Sequence, residues 1–308
     1  MLEIAVVGSI NMDLVCRVDE FPRPGETVVA EEFNKFSGGK GANQAVGVAR
    51  LGKKVKMFGM VGKDVFGREL LSSLEEYGVN VENVILQEGF SGIATILVNK
   101  KGENIIAITP GANAKVDEKY VEGIMDKIKG FKVLLLQFEI PLSSIDFLLT
   151  NLSSDRPLVI LDPAPAKDIS NIFTQRVDIL TPNIRELEIL TGITVEEGED
   201  IKEAGLSLVR KTGIKTIICK AGESGCYLIK KEIFKHFPTI RVNTIDTTAA
   251  GDAFNAALAV ALSDSKTLEE SIKYANIAAA LSTTRAGAQP SMPCNIEVIE
   301  ILRKITNN

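Results

Sequence analysis

Short apolar runs alternate with amphipathic ones along most of this chain. IAVVG (4–8), VKMFGMVG (55–62), KVLLLQFE (132–139), PLVILDPAP (157–165), VDILTPN (177–183) and KTIICKAG (215–222) have the length and boundaries of buried strands. Between them, apolar positions recur at helical spacing over 42–51, 64–78, 142–151, 184–191 and 199–212. The last third predicts helices at about 250–262, 267–284 and 295–305. Strands that are apolar throughout, separated by helices, call for an α/β fold with a mainly parallel sheet covered on both faces.

Two stretches break the alternation. LVCRVDEFPRPGETVVAEEFNKF (14–36) predicts strands around a Pro-rich turn, and GIATILVNKKGENIIAITPG (92–111) a hairpin turning at NKKGEN. Both are too short and too β-rich to be crossovers of the main sheet. Together they predict a small β lid standing off the body. No linker-like composition sets them apart, so the expectation is one domain over 1–308, with lid segments at about 14–36 and 92–111. A sheet of this kind exposes apolar residues, and pairing with a second copy would cover them.

Composition narrows the partners. The chain has 308 residues, 45% of them hydrophobic and 24% charged, with a formal net charge of −5. That balance argues against nucleic acid or an anionic membrane as the main partner, while backbone N–H groups and helix N-termini keep local phosphate binding open. Cys16, Cys219, Cys226 and Cys294 have no C-x-x-C spacing, which points to reduced thiols rather than a zinc site or a disulfide framework. His236 is the only histidine and no G-x-S-x-G is present, which disfavours a Ser-His-Asp mechanism. Met1 leads at once into a strand without a signal-peptide pattern, and no apolar run nears the ~20 residues of a membrane span. A soluble cytoplasmic protein is expected.

Unusual polar residues fall at the carboxyl ends of the expected strands, where open parallel sheets bind ligands. In GSINMDLV, Asn11 and Asp13 share one strand face; they suit a polyol, or they belong to a turn. In SGGKGANQAV, Gly38, Gly39 and Gly41 feed a helix and allow close backbone approach to a small ligand, with Lys40 and Asn43 as polar handles. The spacing is neither a Walker A loop nor a dinucleotide fingerprint. Glu139 ends LLLQFE, either solvated or turned into a cleft. Asn183 and Glu186 in TPNIRELE match a capping box, whose helix N-terminus is also a phosphate or Mg²⁺-water locus. KAGESG (220–225) is a hairpin turn or a bed for a nucleotide. In DTTAAGDAFNAALAV (246–260), small residues leave helix N-terminal amides open to an anion. Asp252 follows in the first turn, where the helix dipole favours its ionised form. It reads as a capping acid, or as a base that takes a proton from a hydroxyl attacking phosphorus.

The ordered set GSINMD, GGKGAN, TPNIRELE, KAGESG, DTTAAGDAFNAAL and ANIAAALSTTRAGAQPSMP resembles the ribokinase branch of the PfkB-type sugar kinases, from residue 4 to about 300. The resemblance implies a three-layer α/β fold whose β lid pairs with a second subunit in a homodimer, and ATP-dependent phosphorylation of D-ribose at its 5-hydroxyl. It implies that Asn11, Asp13, Gly39, Lys40, Gly41, Ala42, Asn43 and Glu139 hold the sugar, with Ala94, Ile96 and Ile108 closing over it. Asn183, Lys220, Ala221, Gly222, Glu223, Ser224, Gly225, Gly251 and Asn276 would line the ATP site, and Glu186 would act on Mg²⁺ and phosphate indirectly. Ala250 and Gly251 would form an anion hole and Asp252 would be the base. Asp246, Thr248, Ser282, Arg285, Gly287 and Ser291 would hold K⁺ or a similar monovalent cation, several through backbone carbonyls. Many wider-family members carry Gly where Ala249 stands. The same chemistry on 2-deoxyribose, fructose or a nucleoside is the nearest alternative.

Overall fold

The computed structural model describes residues 3–169, 172, 174–196 and 198–306. In chain order the elements are β1 (Ile4–Val7), β2 (Asn11–Arg17), β3 (Glu32–Gly38), α1 (Lys40–Arg50), β4 (Val55–Gly62), α2 (Val65–Glu76), β5 (Asn80–Gln87), β6 (Gly92–Val98), β7 (Asn104–Thr109) and α3 (Glu118–Ile128). Then come β8 (Val133–Gln137), α4 (Leu142–Asn151), β9 (Leu158–Asp162), β10 (Ile179–Leu180), α5 (Ile184–Thr191), α6 (Gly198–Thr212), β11 (Ile217–Lys220), β12 (Cys226–Lys230), β13 (Ile233–Phe237), α7 (Ala250–Ser263), α8 (Leu268–Ser282) and α9 (Asn295–Thr306).

The main sheet runs β13-β12-β11-β10-β9-β8-β1-β4-β5, parallel from β11 to β5 and antiparallel at β12 and β13. Its central strands are apolar throughout because helices cover both faces. Ile4, Val6, Val133 and Leu135 pack with residues of α1, α2, α7 and α8, whereas Ala5, Val7, Leu134 and Leu136 pack with α3, α4, α5 and α6. The alternation of side chains along β1 and β8 thus splits the core into two halves.

Five elements depart from the expected layout. β5 is an edge strand whose NVENVILQ mixes polar and apolar positions, so it carries no continuous apolar run. α3 buries Tyr120, Val121, Ile124 and Ile128 behind an Asp117 cap, a helical pattern masked in the sequence by the β-rich segment before it. The β12–β13 hairpin makes this edge of the sheet antiparallel, and within VDILTPN only Ile179–Leu180 pair as a strand.

The second sheet runs β3-β2-β6-β7 and is built from the two β-rich stretches. Asp13 lies opposite Ala94 on β6 and Phe36 on β3, and Ala94 lies opposite Ile108 on β7. Directly opposed residues share a face, so Ala94, Ile96 and Ile108 lie on the side of the sheet that carries Asn11 and Asp13. Phe33, Ile105 and Ile106 are each more than half exposed.

Candidate active site

The polar residues converge at the carboxyl ends of the parallel strands. The loop 8–10 follows β1, Glu139 follows β8, Asp162 ends β9, Asn183 follows β10 and Lys220 ends β11. Helices α1 and α7 begin at this edge, and the small sheet leaves it through Asn11.

Glu139 organises one side. Its Oε2 accepts from Ser9 Oγ at 2.5 Å, from the Lys40 backbone N–H at 3.2 Å and from Asn11 Nδ2 at 3.5 Å. Asn11 Oδ1 accepts from Asn113 Nδ2 at 2.6 Å, and Asn113 Oδ1 accepts from the Ile10 backbone N–H at 2.9 Å. Asp13 is half-buried, and burial reinforced by the Glu139 and Asp252 charges pushes its carboxyl up to about 7. Burial of Lys40 acts to lower its pKa, but Asp252, Asp162, Glu139 and Glu186 outweigh that and hold the ammonium above the ordinary lysine range.

The glycines of SGGKGAN admit the protein's own chain rather than a ligand. A Cβ on Gly39, where φ is +89°, would stand 2.6 Å from the Asn11 nitrogen; one on Gly41 would stand 2.8 Å from the backbone of Gly8 and Ser9. A Cβ on Gly38 would reach 2.2 Å from Asp13 Oδ2. The loop is therefore pressed onto the β1–β2 connection, which places Lys40 and Asn43 against the carboxylates.

Asp252 is 4% exposed. Its Oδ2 accepts from Asn43 Nδ2 and its Oδ1 from Gln44 Nε2, both at 3.0 Å. Burial raises its carboxyl to about 6 and Asp162 adds to the rise, against the pull of Lys40, Asn43 and Gln44. The expectation from the helix dipole is thus overridden by desolvation. Asn43 Oδ1 is buried without a hydrogen-bond partner, an open acceptor beside the carboxylate.

Among the described residues, no backbone acceptor takes the Gly251 or Asp252 N–H at the start of α7. The Ala250 N–H differs, since it donates to Thr247 O at 3.2 Å in a turn. Before them Ala249 has φ 60° and ψ 11°, a left-handed conformation that costs a Cβ-bearing residue ~1–2 kcal/mol. Replacing Ala249 by Gly removes that strain at an unfolded-state entropy cost of ~0.4–1 kcal/mol. We expect Ala249→Gly to raise Tm slightly and Ala249→Val to lower it; a lower Tm for the Gly variant in thermal melts would show that the Ala methyl packs favourably.

On the far side, Asn183 and Glu186 form a reciprocal capping box, Asn183 N donating to Glu186 Oε2 at 2.8 Å and Glu186 N to Asn183 Oδ1 at 2.7 Å. Asn183 Nδ2 occupies the other oxygen, Glu186 Oε1, at 2.9 Å. Burial raises the Glu186 carboxyl. KAGESG is the turn between β11 and β12, with Gly225 at φ +91° and its Cβ position 2.1 Å from Phe237 O. Asn276 Nδ2 donates to the same Phe237 carbonyl at 2.9 Å, so Asn276 braces the strand end against which this turn rests. His236 stacks on Tyr227 and its Nε2 meets Ser224 O at 2.7 Å, outside the carboxylate cluster.

Asp246 ties two loops together. Its carboxylate accepts from Thr248 N at 2.8 Å and from Gly287 N at 2.9 Å, and these bonds outweigh burial to hold its pKa below the usual range. Ser282 and Ser291 hydroxyls donate to Ala279 O and Ala288 O, and the Arg285 guanidinium pairs with Glu297. The guanidinium carries donors only, so the one acceptor Arg285 possesses is its backbone oxygen.

Gln44, Gln137 and Asp162 are site residues that no sequence motif announced. Gln44 follows GGKGAN directly, and Asp162 ends its strand as Glu139 follows its own, so strand-end position was the available signal. Gln44 Nε2 also donates to Asp162 Oδ2 at 3.2 Å, Gln137 Nε2 donates to Gln44 Oε1 at 2.7 Å, and Lys220 Nζ pairs with Asp162 Oδ1 at 2.8 Å.

Known proteins match over nearly the whole chain. The ribokinase of Haemophilus influenzae is 37% identical over 301 residues, covering 97% of this chain and 98% of that protein. The deoxyribokinase of Salmonella typhi is 37% identical over 296 residues, covering 95% and 96%. Arabidopsis thaliana ribokinase, solved with ribose and ATP, superposes with a TM-score of 0.91 at 33% identity, covering 98% and 99%. The pfkB family carbohydrate kinase pattern matches residues 1–295, and the chain belongs to that family.

Proposed function

We propose that this protein transfers the γ-phosphoryl group of ATP to the 5-hydroxyl of D-ribose, giving ribose 5-phosphate and ADP. The observation that carries the reading is Asp252, a buried carboxylate at the open N-terminus of α7 with one amide donor on each oxygen. Each oxygen keeps a lone pair for a hydroxyl proton, and a carboxyl near pKa 6 is ionised at neutral pH yet basic enough to accept one. The hydroxyl oxygen attacks phosphorus as its proton passes to Asp252, the bond to ADP breaks, and the Gly251 N–H steadies the equatorial oxygens. Ala250 N–H joins it on release of its long turn bond to Thr247.

Asn11, Asp13, Lys40, Asn43 and Glu139 hold the sugar hydroxyls, Gly39, Gly41 and Ala42 shape that loop, and Ala94, Ile96 and Ile108 cover it. Asn183, Lys220 to Gly225 and Asn276 frame the nucleotide. Mg²⁺ bound with ATP would supply charge neutralisation on the phosphates. Among the described residues no three His, Cys, Asp or Glu are arranged to hold a metal ion by themselves, and the carboxylates that do converge surround the Lys40 ammonium; an ion carried in on ATP fits this arrangement. Glu186, with both oxygens engaged by Asn183, would reach it through water. We place K⁺ beside Asp246, with Thr248, Ser282, Arg285, Gly287 and Ser291 contributing oxygen donors, several of them backbone carbonyls; such a hard, weakly charged set suits that ion. Exposed Phe33 and Ile105 lie on the face of the small sheet away from Asn11 and Asp13, and exposed Ile106 on the same side as those two residues; this exposed apolar surface supports a lid of one domain that pairs with a second copy. No helix among the described residues is long and apolar enough to cross a membrane, and we place the enzyme in the cytoplasm.

The competing substrate is 2-deoxyribose, on which the Salmonella typhi relative acts by its name. A coupled ADP-release assay over ribose, 2-deoxyribose, fructose and adenosine, each with K⁺ or Na⁺, tests the reading. We expect ribose with K⁺ to give the highest kcat/KM; a flat response to ribose would discard it.

A further inference from the structure

We propose that Gln44 is a positioning residue for the base: its side-chain amide fixes the orientation of Asp252 and locks it to the Asp162–Lys220 pair. The inference rests on the kinase reading above and extends it to a residue that does not touch the substrate.

Gln44 is completely buried on α1, one residue after Asn43. Its Nε2 has two hydrogens, and both are used on carboxylates, Asp252 Oδ1 at 3.0 Å and Asp162 Oδ2 at 3.2 Å. Its Oε1 accepts from Gln137 Nε2 at 2.7 Å. This pattern decides the amide orientation, because the flipped form would set a carbonyl oxygen against two carboxylates and an N–H₂ against another N–H₂. Gln137 in turn has a shaped seat. A Cβ on Gly8 would lie 2.0 Å from Gln137 Oε1, so the space beside the β1 strand end is reserved for that amide. A chain of directed bonds thus runs from Gln137 through Gln44 to the base, and through Asp162 to the ammonium of Lys220. That ammonium lies 3.3 Å from the Cβ position of Gly251, beneath the start of α7.

The consequence is directional. Asn43 and Gln44 approach opposite oxygens of Asp252, so the carboxylate cannot turn about its Cβ–Cγ bond without losing a donor. Charged groups acting on Asp252 are Lys40, Asp162 and Asp13, with Lys220 behind Asp162. Without the Gln44 amide, Asp252 and Asp162 face each other with one fewer donor between them. The base then rotates and holds its proton to higher pH.

The test compares Gln44→Met, of similar length and no hydrogen bonding, with Asp252→Asn and the parent in ribose phosphorylation from pH 5 to 9. For Gln44→Met we expect kcat to fall ~10–100-fold, the scale of an ångström-level misplacement, with KM for ATP within a factor of about two. The acid limb of kcat should move up by about one pH unit, as loss of a donor to a buried carboxylate requires. Gln137→Met, one bond further out, should shift the limb in the same direction by less, and serves if Gln44→Met does not fold. An unmoved acid limb and a kcat within about twofold of the parent, with or without a lowered Tm, would overturn the inference. An active Asp252→Asn would instead overturn the underlying assignment of the base, so the two failures are distinguishable.

Discussion

Replacing Asp252 by Asn should lower kcat for sugar phosphorylation by ~10²–10⁴-fold, the usual weight of a general base, and leave ATP affinity within a factor of about two. The substitution is close to isosteric, and the surroundings accept it. The introduced amide can keep its oxygen toward Gln44 Nε2 and turn its N–H₂ toward Asn43. Asn43 carries an unpartnered buried Oδ1, so a flip of its own amide supplies the acceptor. The fold should therefore survive, and the loss should appear in the chemical step. Stability gives an independent sign. The Asp252 carboxyl is raised from 3.8 to about 6, so between these values the native state binds the proton more tightly than the unfolded chain does. Ionisation of Asp252 consequently weakens the fold as pH rises through that window. Asp252→Asn removes this liability, and its Tm relative to the parent should be higher at pH 8 than at pH 4. Before any substitution, kcat/KM for the sugar should fall as pH drops below about 7, where Asp13 and then Asp252 take up protons. A parent profile flat from pH 8 to 5, or an Asn variant with parental kcat, would remove Asp252 from its role.

Asp252 is conspicuous in the sequence, whereas the residues that orient it are not. Its neighbours along the chain are small and apolar, so a lone acid there stands out, and GGKGAN is equally visible. The parallel core strands were legible because burial on both faces makes them apolar throughout. β5 and the β12–β13 hairpin lie at sheet edges, where one side meets solvent and that signal fades. The glycine loop shows a different limit. Three glycines announced a close approach, but the sequence cannot say what approaches, and it proves to be the backbone of Gly8 to Asn11 and the Asp13 carboxylate. Gln44, Gln137 and Asp162 meet only in space, at separations of 93 and 118 residues from Gln44. A buried amide carries no local pattern that distinguishes it from a surface one, so their convergence had to come from the fold.

The Asp162–Lys220 pair should be the most sensitive point in the site for stability. Asp162 Oδ1 meets Lys220 Nζ at 2.8 Å with the side chains only 2% and 13% exposed. Removing one partner of a buried pair costs ~3–5 kcal/mol, because the other charge is left without compensation. Lys220→Met leaves the Asp162 carboxylate in that position, with the Gln44 amide still donating and the Lys40 ammonium near enough to relieve part of the cost. That places the loss at the lower end, ~3 kcal/mol, a Tm drop of about 4–6 °C for a chain of 308 residues. Asp162→Asn should cost less. Lys220 is closer to solvent and has the Glu186 carboxylate as an alternative, and Asn can still offer an oxygen to Gln44. The double variant Asp162→Asn/Lys220→Met removes both charges and should recover most of the Tm lost by Lys220→Met alone. Thermal melts of the four proteins at pH 7.5 decide it: if the double variant falls by the sum of the two single losses, the two residues act on stability independently and the pair is not the unit described here.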